Sequence, residues 1–241
     1  MENLKIFVLN LDRAVSRRQA MEKHLSEMGL KFELISAVDG RTLSPNDRSK
    51  YSEEEAIKAV GHPLIDTQIG CALSHARLYE RIVAEGIPEC LILEDDALLG
   101  EMFLKVMEHR NQFPDNWDMI NFYTRTPQDP IGPFLTDIYR CSKFLGPASH
   151  LAAYLISLRG AKKLLRKVYP IRYEADGLTG RTQVAGINSY GISPAVVASQ
   201  DVESTIWDQE IVEAHRIKGA KRYLDKYARS LRKRLNRFII E

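Results

Sequence analysis

Hydrophobic and polar positions follow two periods along the first hundred residues of the chain. Compact apolar runs at 6–11, 32–38 and 90–93 have the length of buried strands. Between them, apolar side chains recur at three- and four-residue steps, which predicts helices at 17–28, 52–60 and 67–85. Gly29 and Gly86 follow two of these helices, as is typical of a helix C-terminus. Strands that alternate with helices in this way predict a three-layer α/β domain with a parallel core.

The pattern becomes less regular beyond residue 100. Helices are predicted at 102–110 and 159–168, and strands at 117–123, 152–157 and 192–198. The Pro-rich stretch 124–133 is predicted to be a loop at the edge of a site, and 174–189 is rich in Gly and polar residues. No linker is evident before about residue 205. We therefore predict one catalytic domain at 1–205 and a helical tail at 206–241.

Charge is distributed unevenly between these two parts. Residues 216–237 contain ten Lys or Arg and one acid, so this segment carries +9 where the whole chain carries +2, and the remainder carries −7. The tail also has an apolar stripe at three- and four-residue steps, formed by Leu224, Ala228, Leu231, Leu235 and Phe238. A cationic amphipathic helix favours an anionic membrane surface. Docking on the acidic body and binding to nucleic acid remain open, but no nucleic-acid motif accompanies the charge, and no nucleic-acid partner is expected.

Two further features bear on where the protein works. No stretch reaches the roughly 18 uninterrupted apolar residues of a membrane helix, and no cleavage-site pattern follows the first strand, so we expect a cytoplasmic protein. Cys71, Cys90 and Cys141 are odd in number, widely spaced and set in apolar surroundings. They are expected to be reduced core thiols, because this pattern suits such thiols better than disulfides or a zinc site.

Three acids, Glu94, Asp95 and Asp96, directly follow the apolar run at 90–93. Ligands of open α/β sheets bind beyond the carboxyl ends of the strands, so these carboxylates are expected to face a site. Three adjacent acids repel one another, and a divalent cation would relieve the repulsion. The alternative is an acidic turn in which Asp96 caps the next helix.

Five blocks of the sequence together resemble glycosyltransferase family 25, the family of bacterial lipooligosaccharide glycosyltransferases that also includes collagen-modifying enzymes. The blocks are IFVLNLDR at 6–13 with Arg17-Arg18, AVDG at 37–40, GCALSH at 70–75, LILEDDA at 91–97, and AYLIS at 153–157 with Gly160-Ala161. The resemblance covers residues 4 to 200. It implies a GT-A type, Rossmann-like nucleotide-sugar-binding fold, a UDP-sugar donor, a divalent metal and inversion at the anomeric carbon.

The resemblance also implies a role for each acid of the triplet. In such transfers Mn²⁺ or Mg²⁺ bridges the diphosphate, and these hard ions take oxygen ligands. By similarity to GT-A enzymes with a Glu-Asp-Asp element, Asp96 is the first candidate for the metal ligand and Asp95 the second, while Glu94 faces the ribose or the solvent shell. A later histidine, His150 or His215, could complete the coordination.

The remaining donor contacts are assigned by their place at strand ends. Asn10, Asp12, Arg13 and Arg17 are expected to meet the base or the diphosphate, and Asp39 the uracil or ribose. Two ordinary interpretations stay open, in which Asp12 caps the first helix and Arg17 lies on a solvated face. For Ser74 and His75, a structural hydrogen bond and catalysis both remain possible.

An inverting transfer needs a base for the acceptor hydroxyl, and the resemblance implies Asp176, with Glu174 as the alternative. The function expected is that of a hexosyltransferase, by family habit a β-galactosyltransferase using UDP-galactose, which extends a lipooligosaccharide core. The basic tail would hold it at the cytoplasmic face of the inner membrane. Two alternatives are a non-catalytic nucleotide- or metal-binding protein whose tail binds membrane or nucleic acid, and a metal-dependent phosphohydrolase, which no Gly-rich phosphate loop supports.

Overall fold

The computed structural model describes residues 4–123, 126, 128–129 and 132–199. The nine strands of this part are β1 (Lys5–Asn10), β2 (Glu33–Ser36), β3 (Glu89–Glu94), β4 (Ala97–Leu99), β5 (Met119–Asn121), β6 (Arg140–Lys143), β7 (Ala153–Ser157), β8 (Ser189–Ser193) and β9 (Val197–Ser199). The α-helices are α1 (Val15–Glu27), α2 (Pro45–Arg48), α3 (Glu53–Val60), α4 (Asp66–Ala84), α5 (Met102–Glu108), α6 (Leu158–Val168), α7 (Ala175–Gly180) and α8 (Thr182–Ala185).

Seven of the strands form one sheet in the order β2-β1-β3-β7-β5-β8-β6. The neighbours β2, β1 and β3 are parallel, as are β5 and β8, whereas β7 and β6 are antiparallel to the strands beside them. The predicted α/β domain with a parallel-rich central sheet is therefore confirmed. The antiparallel β7, which lies in the middle of the sheet, was not evident from the alternation of elements.

Both faces of the sheet are covered, which explains the unbroken apolar run of β3. On one face Ile92 packs in a core with residues of α4 and α6, and on the other Leu91 and Leu93 pack in a core with residues of α1 and α5. Residues 90–93 are fully buried because successive side chains point to opposite and equally covered faces. The three layers of the prediction are thus present.

The sequence prediction differs from the structure mainly after residue 95. The strand predicted at 192–198 is two strands, β8 and β9, and β4 pairs with β9 in a separate two-stranded sheet. Neither β4 nor β6 was predicted, because three- and four-residue strands are too short to show a period. The stretch 174–189 contains the short helices α7 and α8.

Within the described residues, no helix combines the length and apolar character needed to cross a bilayer. All three cysteines are free thiols, and Cys90 and Cys141 are buried. The tail at 206–241, with His215, and half of the loop at 124–133 lie outside the described residues, so the predictions made for them stay predictions.

Candidate functional site

The carboxyl ends of five strands, β1, β2, β3, β5 and β8, lie at one edge of the central sheet. The antiparallel β7 begins at this edge, where the backbone N–H of Glu94 donates to the carbonyl of Ala152. Each of these five strands ends in a polar residue, namely Asn10, Ser36, Glu94, Asn121 and Ser193. This edge is where an open α/β sheet binds its ligands.

Asp95 is the most firmly held acid of the triplet. Its Oδ2 accepts from Asn10 Nδ2 at 2.6 Å, and its Oδ1 lies 3.0 Å from Arg17 Nη1. Burial raises the pKa of Asp95, while Arg17 and Asn10 act in the opposite direction. Both carboxylate oxygens are therefore engaged by protein groups, and these contacts tie the end of β1 and helix α1 to the turn that follows β3.

Asp96 has a different environment from its neighbour. Its Oδ2 accepts from Ser199 Oγ at 2.8 Å, whereas its buried Oδ1 makes no hydrogen bond to another described residue. Burial, and then the charge of Glu94, raise the pKa of this carboxyl. Asp96 does not cap a helix, because α5 begins after Glu101. A buried and unpaired carboxylate oxygen is the kind of atom that an ion or an ordered water satisfies.

Glu94 contacts a buried chain of polar side chains from helix α4 and strand β7. His75 Nε2 lies 3.1 Å from Glu94 Oε1, and His75 Nδ1 lies 2.7 Å from the hydroxyl of Tyr154. The Tyr154 hydroxyl is in turn 3.2 Å from that of Tyr79. Burial raises the pKa values of both tyrosines, so they remain protonated. The chain of contacts fixes the imidazole of His75, which is only 2% exposed.

The polar residues at or just beyond the ends of β1 and β2 pair with one another. Ser36 Oγ donates to both carboxylate oxygens of Asp12, at 2.8 and 2.9 Å, and Arg13 Nε lies 2.6 Å from Asp39 Oδ2. Burial alone would raise the pKa of Asp39, but the backbone N–H of Arg41 and the Arg13 guanidinium lower it. Helix α1 starts after Ala14 with no side-chain cap, so Asp12 does not cap it.

The blocks AVDG and GCALSH are brought together by close backbone packing. A Cβ on Gly70 would meet the carbonyl oxygen of Val38 and the backbone nitrogen of Gly40. Ser74 Oγ accepts from the Val38 N–H at 2.8 Å and donates to the Gly70 carbonyl at 2.7 Å. These contacts fix the loop after β2 against α4, and they give Ser74 a structural hydrogen bond.

The two candidate bases lie at the start of α7. Asp176 Oδ2 accepts from the backbone N–H of His150 at 3.0 Å, and Glu174 lines a small cavity with His75 and Tyr79. His150 is exposed and has a left-handed backbone (φ +69°), a conformation that is rare for residues other than glycine. Its ring packs against Tyr123 with ring centroids 5.6 Å apart.

The pKa of one thiol is affected by charges from both α7 and the acidic triplet. Burial raises the pKa of the Cys71 thiol well above its ordinary value, and the carboxylates of Glu94, Asp176 and Asp96 raise it further. The charges of the predicted base, Asp176, and of Glu94 and Asp96 in the triplet thus all affect the pKa of this thiol. By contrast, no described contact links the Asp12–Ser36 and Arg13–Asp39 pairs to the triplet.

The sequence alone does not assign a site role to two polar residues of this region. His75 was left open between structure and catalysis, and its contact with Glu94 depends on the packing of α4 on β3. Asn121 is 1% exposed, and its Oδ1 has no hydrogen-bond partner in the part of the chain that the structure describes. Like Asn10, it is a polar residue at the end of an apolar strand. Asp118 lies at the opposite edge, where it accepts from Arg159, Lys163 and the Asn188 N–H.

The donor set at the end of β3 suits a hard divalent cation. Mg²⁺ and Mn²⁺ take carboxylate oxygens, and they need only one or two from the protein when phosphates and water complete the shell. The unpaired Oδ1 of Asp96 meets this requirement, whereas both oxygens of Asp95 are engaged elsewhere. Asp95, Glu94 and His150 remain predictions as ligands or donor contacts.

A three-layer α/β domain with carboxylates beyond the carboxyl ends of its strands belongs to the broad class that binds nucleotides and their derivatives at that edge. Comparison with known families narrows the class. Residues 3–179 match the model described as glycosyltransferase family 25 (LPS biosynthesis protein), and the chain belongs to this family. All five blocks on which the resemblance rested lie within the match.

Relatives of known name support the same family. A glycosyltransferase 25 family member of Aedes aegypti is 33% identical over 67% of this chain and 28% of its own length. Procollagen galactosyltransferase 1 of Danio rerio is 31% identical over 67% of this chain and 28% of its own length. A Mus musculus relative named inactive glycosyltransferase 25 family member 3 is 29% identical over 67% of this chain and 28% of its own length. The match with this chain thus spans about 28% of the length of these relatives.

Solved structures are more distant. A glycosyltransferase involved in the glycosylation of the major capsid of PBCV-1 matches with 10% identity and a TM-score of 0.36, over 68% of this chain and 66% of the other. A likeness of this size is too weak to support a functional assignment.

Proposed function

We propose that this protein is a metal-dependent, inverting glycosyltransferase that transfers a hexose, galactose from UDP-galactose, to a lipooligosaccharide core acceptor. Family membership supports glycosyl transfer, and the name of the procollagen galactosyltransferase relative supports galactose as the sugar. The description of the matching family model as an LPS biosynthesis protein supports the lipooligosaccharide acceptor. We place the reaction at the cytoplasmic face of the inner membrane, where the +9 tail segment would meet anionic lipid.

The observation that carries the proposal is the carboxylate of Asp96 at the carboxyl edge of the sheet, one buried oxygen of which makes no hydrogen bond to another described residue. In our proposal this oxygen binds Mn²⁺ or Mg²⁺. The bound ion would stabilise the negative charge that develops on the leaving diphosphate. Repulsion from Glu94 and burial both disfavour the ionised form of Asp96 in the absence of a cation. A cation at this position would remove that penalty.

The neighbouring residues would set the geometry of this ligand. Asn10 and Arg17 hold both oxygens of Asp95, so they fix the turn on which Asp96 lies. Arg17 is 19% exposed and keeps further guanidinium donors that could reach the donor diphosphate. Arg13 is paired with Asp39 and would serve the ribose or base side of the donor.

Asp176 is the base that we favour. The N–H of His150 holds one of its oxygens, which orients the carboxylate, and the second oxygen makes no hydrogen bond to a described residue. That second oxygen could take the proton of the acceptor hydroxyl as it attacks the anomeric carbon. Glu174, two residues away, remains the alternative.

The test is metal-dependent hydrolysis or transfer with UDP-galactose, UDP-glucose and UDP-N-acetylglucosamine. Asp96→Asn keeps the shape of the side chain and should lower turnover by about a hundredfold or more, because the metal loses its carboxylate. Asp115→Asn is the matched control, since Asp115 is exposed and precedes β5 at the opposite edge. Unchanged turnover in Asp96→Asn would refute the metal assignment, and a protein that neither binds nor hydrolyses any of the three donors would refute the donor class.

A second candidate, a nucleotide- and metal-binding protein without catalysis, is favoured by one observation. A relative with 29% identity is named inactive. A folded protein that binds UDP only with Mn²⁺, and loses this binding in Asp96→Asn, yet turns over none of the three donors would support this candidate over the enzyme.

A further inference from the structure

Three side chains with different ligand atoms converge where helix α4 meets the end of β3. The atoms are Cys71 Sγ, a ring nitrogen of His75 and a carboxylate oxygen of Glu94, and all lie within 4.8 Å of one another. Cys71 and His75 are four residues apart in α4, so they share one face of the helix. Glu94 reaches them from the neighbouring strand, and its Oε1 is 3.1 Å from His75 Nε2.

The chemistry of this ligand set differs from that of the Asp96 site. Mg²⁺ and Mn²⁺ favour oxygen ligands, whereas thiolate and imidazole together favour Zn²⁺. Three protein ligands leave a fourth tetrahedral position for water or another group, as in zinc sites that are not purely structural. Cys71 is only partly buried as a residue, whereas Cys90 and Cys141 are buried.

The residues behind the cluster support a metal-binding orientation of the imidazole. Metal-bound histidines usually hold their second ring nitrogen in a hydrogen bond, which fixes the ring and the tautomer. His75 Nδ1 lies 2.7 Å from the Tyr154 hydroxyl, and Tyr79 holds that hydroxyl at 3.2 Å. Nε2 is thereby directed at Glu94, and a ring nitrogen of His75 lies within 4.8 Å of Cys71 Sγ.

We propose that Cys71, His75 and Glu94 form a Zn²⁺ site that is separate from the metal position at Asp96. Binding would need loss of the Cys71 proton to the solvent and the replacement of the His75–Glu94 hydrogen bond by two bonds to the ion. The ion would then cross-link α4 to the strand that carries the acidic triplet. The proposal depends neither on sugar transfer nor on the identity of the donor.

The experiment uses the full-length protein, stripped of metal with a chelator and titrated with Co²⁺ as a spectroscopic substitute for Zn²⁺. We expect one equivalent to produce a thiolate-to-cobalt charge-transfer band and the visible bands of tetrahedral cobalt, and one equivalent of Zn²⁺ to abolish both. Cys71→Ser should remove the charge-transfer band and weaken Zn²⁺ binding by at least a hundredfold. Cys141→Ala is the matched control, because Cys141 is a buried thiol in β6 outside the cluster, and it should keep the band.

Two further variants separate this site from others. His75→Gln should also weaken Zn²⁺ binding by at least a hundredfold, and a circular dichroism spectrum like that of the wild type verifies its fold. Asp96→Asn should leave the cobalt spectrum unchanged while it lowers Mn²⁺-dependent donor turnover, so failure of the zinc site and failure of the proposed function are distinguishable. Absence of a thiolate band, or its persistence in Cys71→Ser, would overturn the proposal and leave His75–Glu94 as a hydrogen-bonded pair.

Discussion

At the scale of single residues, Asp95 and Asp96 show how neighbours in sequence acquire different roles. The two aspartates are consecutive in sequence, but in the fold Asn10 and Arg17 contact both oxygens of Asp95. Asp96 keeps a buried oxygen that has no partner among the described residues. Similarity to GT-A enzymes ranked Asp96 first among the ligands, and the structure adds a physical reason for that rank. The metal itself remains a proposal.

The identity of the catalytic base can be decided by a matched pair of substitutions. Asp176→Asn should lower kcat by about a hundredfold to ten-thousandfold, because the acceptor hydroxyl loses the group that takes its proton. The Kd for the UDP-sugar should change little, since Asp176 is proposed to act on the acceptor. Glu174→Gln, two residues away, should change kcat by less than about tenfold. Steady-state kinetics and calorimetry measure both quantities, and the reverse order would make Glu174 the base.

Asp118 should contribute to stability in a manner that depends on pH. It is fully buried, and it accepts from Arg159 and Lys163, each at 2.6 Å, and from the Asn188 N–H at 2.8 Å. Burial alone would raise the pKa of Asp118, but these partners lower it below the ordinary value of 3.8. A depressed folded-state pKa means that the contribution is complete above about pH 4 and is lost as the pH falls through the folded-state value.

The corresponding variant is Asp118→Asn. At about pH 7 it should lower the free energy of unfolding by about 2 kcal/mol, a value near the low end for hydrogen bonds to a charged group because both cationic partners are partly exposed. The difference from the wild type should shrink at about pH 3. Urea denaturation at both pH values measures this, with Asp115→Asn expected to stay within about 0.5 kcal/mol. A difference that does not depend on pH would contradict the ionic role.

At the scale of elements, helix propensity and tertiary packing favour different residues at position 70 of α4, which is Gly70. Helix propensity alone favours alanine over glycine inside a helix by about 1 kcal/mol. The backbone of the loop after β2, however, lies where a Cβ of residue 70 would be, with the Val38 carbonyl and the Gly40 nitrogen as the nearest atoms. The close approach is the reason that α4 and the loop hold Asp39 near the site edge.

We therefore predict that Gly70→Ala destabilises the protein, by about 1–3 kcal/mol, in spite of the gain in helix propensity. The clash is with backbone atoms, which cannot swing aside as a side chain can. Gly146→Ala is the matched control, because nothing lies within 4 Å of its added Cβ. Thermal denaturation compares the two. Stabilisation by Gly70→Ala would show that the loop can move away from α4.

Helices and strands with many buried positions were predictable from the spacing of their apolar residues, whereas β4 and β9 were not predictable as separate strands. The apolar runs of β1 and β3 and the helical spacing of α4 agree with the structure to within one residue at either end. β4 and β9 have three residues each, and their pairing depends on a partner about a hundred residues away. No local periodicity can encode such a pairing, because the energy comes from a non-local contact.

At the scale of the whole molecule, the uneven charge leads to a prediction about the tail. Removal of residues 216–241 should weaken binding to vesicles that contain anionic lipid by at least about a hundredfold, since each Lys or Arg near such a surface contributes about 1 kcal/mol. Turnover of a soluble acceptor should be unchanged. Vesicle co-sedimentation measures the binding, and vesicles of zwitterionic lipid alone provide the control. If turnover falls together with binding, the tail is part of the catalytic fold.

The sequence by itself determined the layered α/β class, the position of the acids after a buried strand and the family. These properties follow from local periodicity and from short blocks of consecutive residues, which a linear chain displays directly. Only the tertiary structure decided which partner each polar group has: Arg17 for Asp95, His75 for Glu94, and the His150 N–H for Asp176. These pairs join residues 19 to 78 positions apart, and their formation depends on how helices and strands pack, which no local pattern records.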